Sequence, residues 1–389
     1  MPPRPLVALF LCLLANQSGT LVLSPILVEV ARDFGVSTAT AGQLRAVSGV
    51  AAGTTALLVG LLARRFGLKT LILAGLAVMA ASCVLSASAP TFAVLALAQV
   101  PLGIAVGILL SGGVAVVAEW APREIRARAL SWAFAGQAAA WLVGMPVIGL
   151  VGEASWRYAW LAVPLAASVA AMVAASRLPA RPPRRDSPGD LRVLARNRDV
   201  AVWAVGDLFA YSAWTGMLVY AGALLIETYG ISLRLTGLVL GGAMLAYFPG
   251  SLLFRRWVDR RSRWLLVGLA LAGALGVSLI GAVRPSAWAT GLLLGGFVFV
   301  NAGRSLAGGS FGLDAARERQ VAAMGVRTAA THFGYLIGAA VGGVALAAGG
   351  YAAVGGAFAV LYLLAAVPHV AQVGLRRARV ARAGAGQAC

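Results

Sequence analysis

Asp207, Arg304 and His332 are ionisable residues set inside long apolar stretches of this chain. A charge in a hydrocarbon layer is expensive. Such residues face a protein interior or a watery cavity and mark paths for ions or solutes. A carboxylate beside an arginine neutralises a costly charge, and a proton or an anionic solute can open the pair. Asp207 is the one acid well inside an apolar stretch, so it is the candidate to carry a transported proton, with His332 next in line. The alternative for Asp207 is a place near the interface, reaching water or capping its helix. Trp203, Asp207, Tyr211 and Trp214 recur at helical spacing and so share one face. A polar-aromatic stripe suits an amphipathic ligand; lipid-facing belt aromatics are the other reading. Asn301 stands with Arg304 as a candidate substrate-binding group, as do Asn16, Gln17, Gln99, Gln137 and Trp141 at mid-depth in the first half. Each of these polar groups lines a cavity or hydrogen-bonds a neighbouring helix, and the spacing does not choose between them. Arg45 opens its apolar stretch and is expected at the outer headgroups.

The elements that must position these groups are roughly twelve apolar stretches of about 20–27 residues, long enough to cross a hydrocarbon core of about 30 Å. They run near 6–29, 42–63, 69–88, 91–118, 129–151, 156–176, 201–226, 235–254, 264–283, 287–313, 323–348 and 351–372. Arginine crowds every second connection: Arg64 and Arg65; Arg123, Arg126 and Arg128; the stretch from Arg177 to Arg198; Arg255 to Arg263; Arg317, Arg319 and Arg327; and the tail from Arg376. The intervening connections carry only Arg32, Arg45, Arg157, Arg234 and Arg284. Positive charge stays inside, so both termini are expected in the cytoplasm, with an even number of spans in the inner membrane. Counted at about 1.5 Å per residue from the arginine-rich ends, Asp207, Arg304 and His332 lie roughly 9–14 Å deep and could share one layer.

Composition agrees. The 389 residues are 60% hydrophobic and 12% charged, with a mean hydropathy of +0.86, more apolar surface than a soluble domain can bury. The net charge of +19 sits in short loops, which fits orientation and an anionic leaflet rather than nucleic acid. Cys12, Cys83 and Cys389 form no metal or disulfide spacing, and no metal site is expected. The first apolar run outlasts a secretory signal and reads as an uncleaved span.

The segment 177–199, rich in Arg, Pro and Asp, has no stretch that could span and reads as a cytoplasmic linker between an N-terminal bundle, 1–176, and a C-terminal bundle, 200–389. The halves echo each other. Gly60-LLA-Arg64-Arg65 parallels Gly250-SLLF-Arg255-Arg256, and the stretch from Glu119 parallels that from Asp314, at offsets of roughly 190–195 residues, which points to a duplicated six-span unit. Gly103 and Gly107, Gly237 and Gly241, and Gly338 and Gly342 have the spacing that lets helices approach closely.

At these residues the chain resembles the major facilitator superfamily. That family's loop between spans 2 and 3 carries a pattern close to G-x-x-x-D-R-x-G-R-K. Gly60, Arg65, Gly67 and Lys69 match it, while Arg64 stands in place of the Asp. The stretch from Leu23 to Leu44 resembles the drug and sugar efflux branch, Gly144, Pro146 and Gly149 resemble its span 5 antiporter motif, and Ser155-WRYAW resembles the family's usual Trp-Arg entry to span 6. The resemblance implies an all-α membrane fold of twelve transmembrane helices in two pseudo-symmetric six-helix bundles, with spans 1, 4, 7 and 10 around a central cavity. It also implies gating by the loop residues. With the Asp absent, Glu119 is the nearest acid to pair with Arg64 or Arg65, and Asp259 is expected to do a similar job in the second half.

Two motif matches are refused. Gly308-GSF-Gly312 fits G-x-S-x-G, but that motif needs a strand-to-helix turn and here lies in an apolar helix. Asn16-Gln-Ser18 fits a glycosylation sequon but is buried in a span. Lys69 is the single lysine, so no phosphate-binding P-loop exists. The expected protein is therefore a monomeric, cofactor-free secondary transporter, not an enzyme. Its partners are a small molecule, protons and the bilayer. It would export its substrate by proton antiport; the alternatives are an importer or uniporter of a small polar or anionic solute, and, from another class, a membrane enzyme or sensor. Arg304 leans towards an acidic solute and the aromatics towards a drug-like or sugar-like one.

Overall fold

A computed structural model describes residues 4–120, 126–178, 197–316 and 320–385; side chains are described except at 114, 118–120, 126–127, 259–262, 313, 316, 320–324 and 372–385. Among the described residues, eleven helices are long and apolar enough to cross a membrane. In chain order they are α1 Arg4–Asp33, α2 Thr38–Phe66, α3 Leu68–Ala87, α4 Phe92–Val117, α5 Arg128–Gly152, α6 Trp156–Ser176, α7 Arg198–Tyr229, α8 Leu233–Val258, α9 Arg263–Ala282 and α10 Ala287–Gly312. The last, Gly325–Ala371, is broken by non-helical backbone at Gly349 and Gly350. It passes twice. A Cβ at Gly342 would touch the Phe358 ring, although a straight helix would hold these positions about 24 Å apart. We therefore count α11, 325–348, and α12, 351–371, giving twelve passes.

The chain also reverses between α8 and α9. Gly250 lies against Phe299 and Gly276 against Phe297, whereas a straight helix would separate Gly250 from Gly276 by about 39 Å.

Local chemistry sets the helix ends. Ser37, Ser155, Asn197 and Ser232 each accept a backbone N–H at the start of a helix with their side-chain oxygen. Gly67 (φ +79°) makes the tight turn from α2 to α3, and Gly230 (φ +63°) ends α7 in the left-handed region. In α5, Pro146 has no N–H for the Leu142 carbonyl. The preceding turn widens, and Met145 N–H reaches back to Ala140 O.

Helices α1–α6 and α7–α12 form two six-helix halves. Within them, Gly103 and Gly107 of α4 lie on the α2 backbone at Ser48 and Ala52, and Gly338 of α11 lies on Ser212 and Gly216 of α7. The third glycine pair works across the halves. A Cβ at Gly237 of α8 would stand 2.6 Å from the Met145 carbonyl oxygen and 3.2 Å from Gly149 Cα, and Gly241 abuts Pro146. The α5 glycine-proline motif is thus the surface on which α8 docks. Outward-facing apolar side chains, Leu292 at 78% and Trp288 at 71% exposed among them, mark the lipid side.

Among the described residues, hydrogen bonds that join the halves gather at the end carrying the α1–α2, α5–α6 and α7–α8 turns. Ser24 donates to Leu218 O, Gln43 Nε2 to Ala339 O at 3.0 Å, and Arg234 N–H to Glu153 at 3.1 Å. Glu227 of α7 accepts from Thr38 and, at 2.7 Å, from the Tyr351 hydroxyl. That end is closed.

Candidate functional site

Asp207 and Arg304 meet. Arg304 Nη1 donates to Asp207 Oδ1 at 2.8 Å, with the side chains only 4% and 3% exposed. The stripe read on α7 runs along α10 residue by residue: Trp203 faces Gly312, Asp207 faces Gly308 and Arg304, Tyr211 faces Ser305, and Trp214 packs on Phe297 at 5.3 Å. Trp203 is 1% exposed, so it is not a belt residue.

A third member comes from α11. Arg327 Nη2 donates to Tyr211 Oη at 3.0 Å and to Ser305 Oγ at 2.9 Å, and its Nε lies 3.8 Å from Asp207 Oδ2. The Arg304 guanidinium stacks over the Tyr211 ring at 4.7 Å. Two guanidinium groups therefore face one carboxylate, leaving one positive charge in excess. Oδ2 of Asp207 and Nε of Arg304 are buried without a hydrogen-bond partner. Such a cluster has spare capacity for a ligand or a proton.

The sequence placed Arg327 among the arginines of the connection before α11. The structure instead turns it into the bundle, its side chain 17% exposed, because its long stem reaches a polar hole between α7 and α10. The signal was the run Gly308, Gly309 and Gly312. Although no hydrolase elbow, it makes room: a Cβ at Gly308 would stand 2.8 Å from Asp207 Oδ1, Gly309 leaves space for the Arg327 guanidinium, and Gly312 for Trp203. His369 of α12 was also missed. It lies against Gly206, beside Asp207, edge-on to Phe311 at 5.7 Å.

His332 does not join this cluster. It is buried on α11 against α2, its carbonyl facing Gly49, and its ring stacks on Tyr335. Arg45 corrects a second expectation. It is 3% exposed rather than at the headgroups, with its guanidinium 4.6 Å from the centroid of the Tyr335 ring. The break in helical hydrogen bonding at Gln43 lets α2 turn this residue inward, towards the other half.

The remaining candidates distribute as follows. Asn16 Nδ2 donates to Val106 O at 2.8 Å, joining α1 to α4, and Gln137 donates to Gln17 at 2.9 Å, joining α5 to α1. Gln99 faces Ser86 of α3. Asn301 accepts from Tyr362 at 2.7 Å, joining α10 to α12. Trp141 packs near Trp214 and Met244, at the seam between halves. At the C-terminal end of α2, rather than in a loop, Arg64 and Arg65 are exposed and the Gly60 surface is open. Lys69 donates to Ser176 O at 2.8 Å and also to Leu178 O, tying α3 to α6. Gly144 packs on Val163 of α6. The side chains of Glu119 and Asp259 lie outside the described residues, and so does their expected pairing.

Twelve passes in two halves, with a buried ionic cluster between helices and a seam closed at one end, define a multi-pass membrane transport protein. The family description Major Facilitator Superfamily matches residues 9–311 and, in a second match, 204–387, and the chain belongs to that superfamily. It is a secondary transporter that binds small molecules, and not an enzyme. Among curated proteins it is 26% identical over 275 residues to the "Transcription regulatory protein OpdE" of Pseudomonas aeruginosa, covering 69% of this chain and 68% of that one. It is 28% identical over 162 residues to a "Chloramphenicol resistance protein" of Streptomyces lividans, covering 41% of each. Among solved structures, a D-xylose-proton symporter superposes with a TM-score of 0.75 at 17% identity, covering 94% of this chain and 96% of that one. At that identity the likeness speaks for the fold alone.

Proposed function

We propose that the protein exports a small organic molecule across the cytoplasmic membrane in exchange for protons, its halves 1–176 and 200–389 rocking about the linker 177–199. The alternation of arginine between connections supports cytoplasmic termini and linker. With that orientation the closed end is the outer one. The carrying observation is the buried Asp207–Arg304 pair on two helices of the second half. When the halves rock, Asp207 takes a proton from the outer side and releases Arg304. It returns the proton to the cytoplasm as Arg304 reclaims the carboxylate. The match to a chloramphenicol resistance protein is in keeping with export.

A thermal-shift screen of metabolites and antibiotics on the purified protein identifies a ligand, since one that binds the folded state raises its midpoint. That ligand is then followed in inside-out vesicles. Asp207→Asn fixes the neutral form: uptake driven by a pH gradient stops while ligand binding survives, which also shows that the variant is folded. Accumulation by Asp207→Asn at the wild-type rate would overturn the coupling role.

A second reading, an importer or uniporter of a small anionic solute, is favoured by one observation: Arg327 adds a positive charge that Asp207 does not balance. Under that reading Asp207→Asn leaves downhill flux intact and acidic solutes dominate the thermal-shift hits.

A further inference from the structure

Arg45 is a buried guanidinium with its Nε and Nη1 unpartnered, and among the described residues no acid forms an ion pair with it. It lines a cavity of about 10 Å³ with Thr20, Ser24, Leu218, Val219 and Tyr335, so three helices besides its own, drawn from both halves, meet there. A guanidinium cannot shed its proton to relieve burial, so its charge needs an anion. The neighbouring hydroxyls are already committed. Thr20 donates to Asn16 O and Ser24 to Leu218 O. Nearby, His332, stacked on Tyr335, leaves Nε2 without a partner. The free cationic donors at the cavity are therefore those of Arg45 itself.

We propose that this cavity is an anion site, in which Arg45 holds one small anionic group between the two halves. The space holds about one water-sized atom, which excludes a phosphate or sulfate; a halide or the tip of a carboxylate enters as the lining side chains give by a few tenths of an ångström. An anion there contacts α1, α2, α7 and α11 together and so favours the closed outer end. The site lies apart from the Asp207 cluster and does not depend on the direction or coupling of transport.

The test is thermal unfolding of the purified full chain in sodium gluconate, chloride or acetate at equal ionic strength. Chloride or acetate is expected to raise the wild-type midpoint saturably, by roughly 2–4 °C above gluconate. Arg45→Gln should lose that response, and Arg45→Lys, which keeps the charge, should retain part of it. A response to chloride identifies a free inorganic ion. A response to acetate without chloride identifies the carboxylate of an organic solute. A wild-type midpoint that ignores the anion, or an Arg45→Gln response equal to the wild type, overturns the proposal.

Discussion

Gly308 lies against the Asp207 carboxylate so closely that a Cβ there would stand 2.8 Å from Oδ1, the oxygen that Arg304 holds. The absence of a side chain on α10 is thus what lets a carboxylate of α7 reach an arginine one turn away. Gly308→Ala should displace Asp207 and lengthen the ion pair. Overpacking of this kind costs about 1–3 kcal/mol. For a protein of this size the expected reading is a lower unfolding midpoint together with loss of coupled transport. Gly268→Ala, whose Cβ would meet nothing within 4 Å, is the control and should change neither. An unchanged midpoint and full transport in Gly308→Ala would show that the cluster yields without consequence.

The α5–α8 seam makes a second prediction. Gly237 approaches the Met145 carbonyl and Gly149 backbone with no room for a larger residue. Gly237→Leu should hold the outer end open. Double electron–electron resonance between nitroxides at Ala154→Cys and Ile231→Cys should then report a longer distance than in the wild-type background. Identical distance distributions would mean that this packing plays no part in closure.

Orientation gives a third. With arginine concentrated in alternate connections, the proposed orientation puts Pro188 in the cytoplasm and Pro285 outside. An impermeant thiol reagent added to intact cells should label Pro285→Cys and spare Pro188→Cys, in a background where Cys12, Cys83 and Cys389 are replaced. Labelling of Pro188→Cys from outside would reverse the topology.

The sequence by itself determined the spans, because bilayer thickness demands about 20 apolar residues per pass and arginine punctuates the gaps. The observed passes differ from the expected ones by only a few residues, even where two passes are divided by just two non-helical residues, as at Gly349–Gly350. It also brought out Asp207 and Arg304, since a lone charge in an apolar helix needs a partner of opposite sign. Only the tertiary structure decided how each helix is rotated and which side chains reach across. Arg327, read as a loop charge, enters the bundle; Arg45, read as a headgroup residue, is buried on Tyr335; and His332, read as part of one ionic layer, turns to α2 instead. Sequence spacing gives the face of a helix on which a residue lies. The direction that face points is set by close backbone contacts, such as Gly338 on Gly216 and Gly237 on Gly149, between residues far apart in the chain.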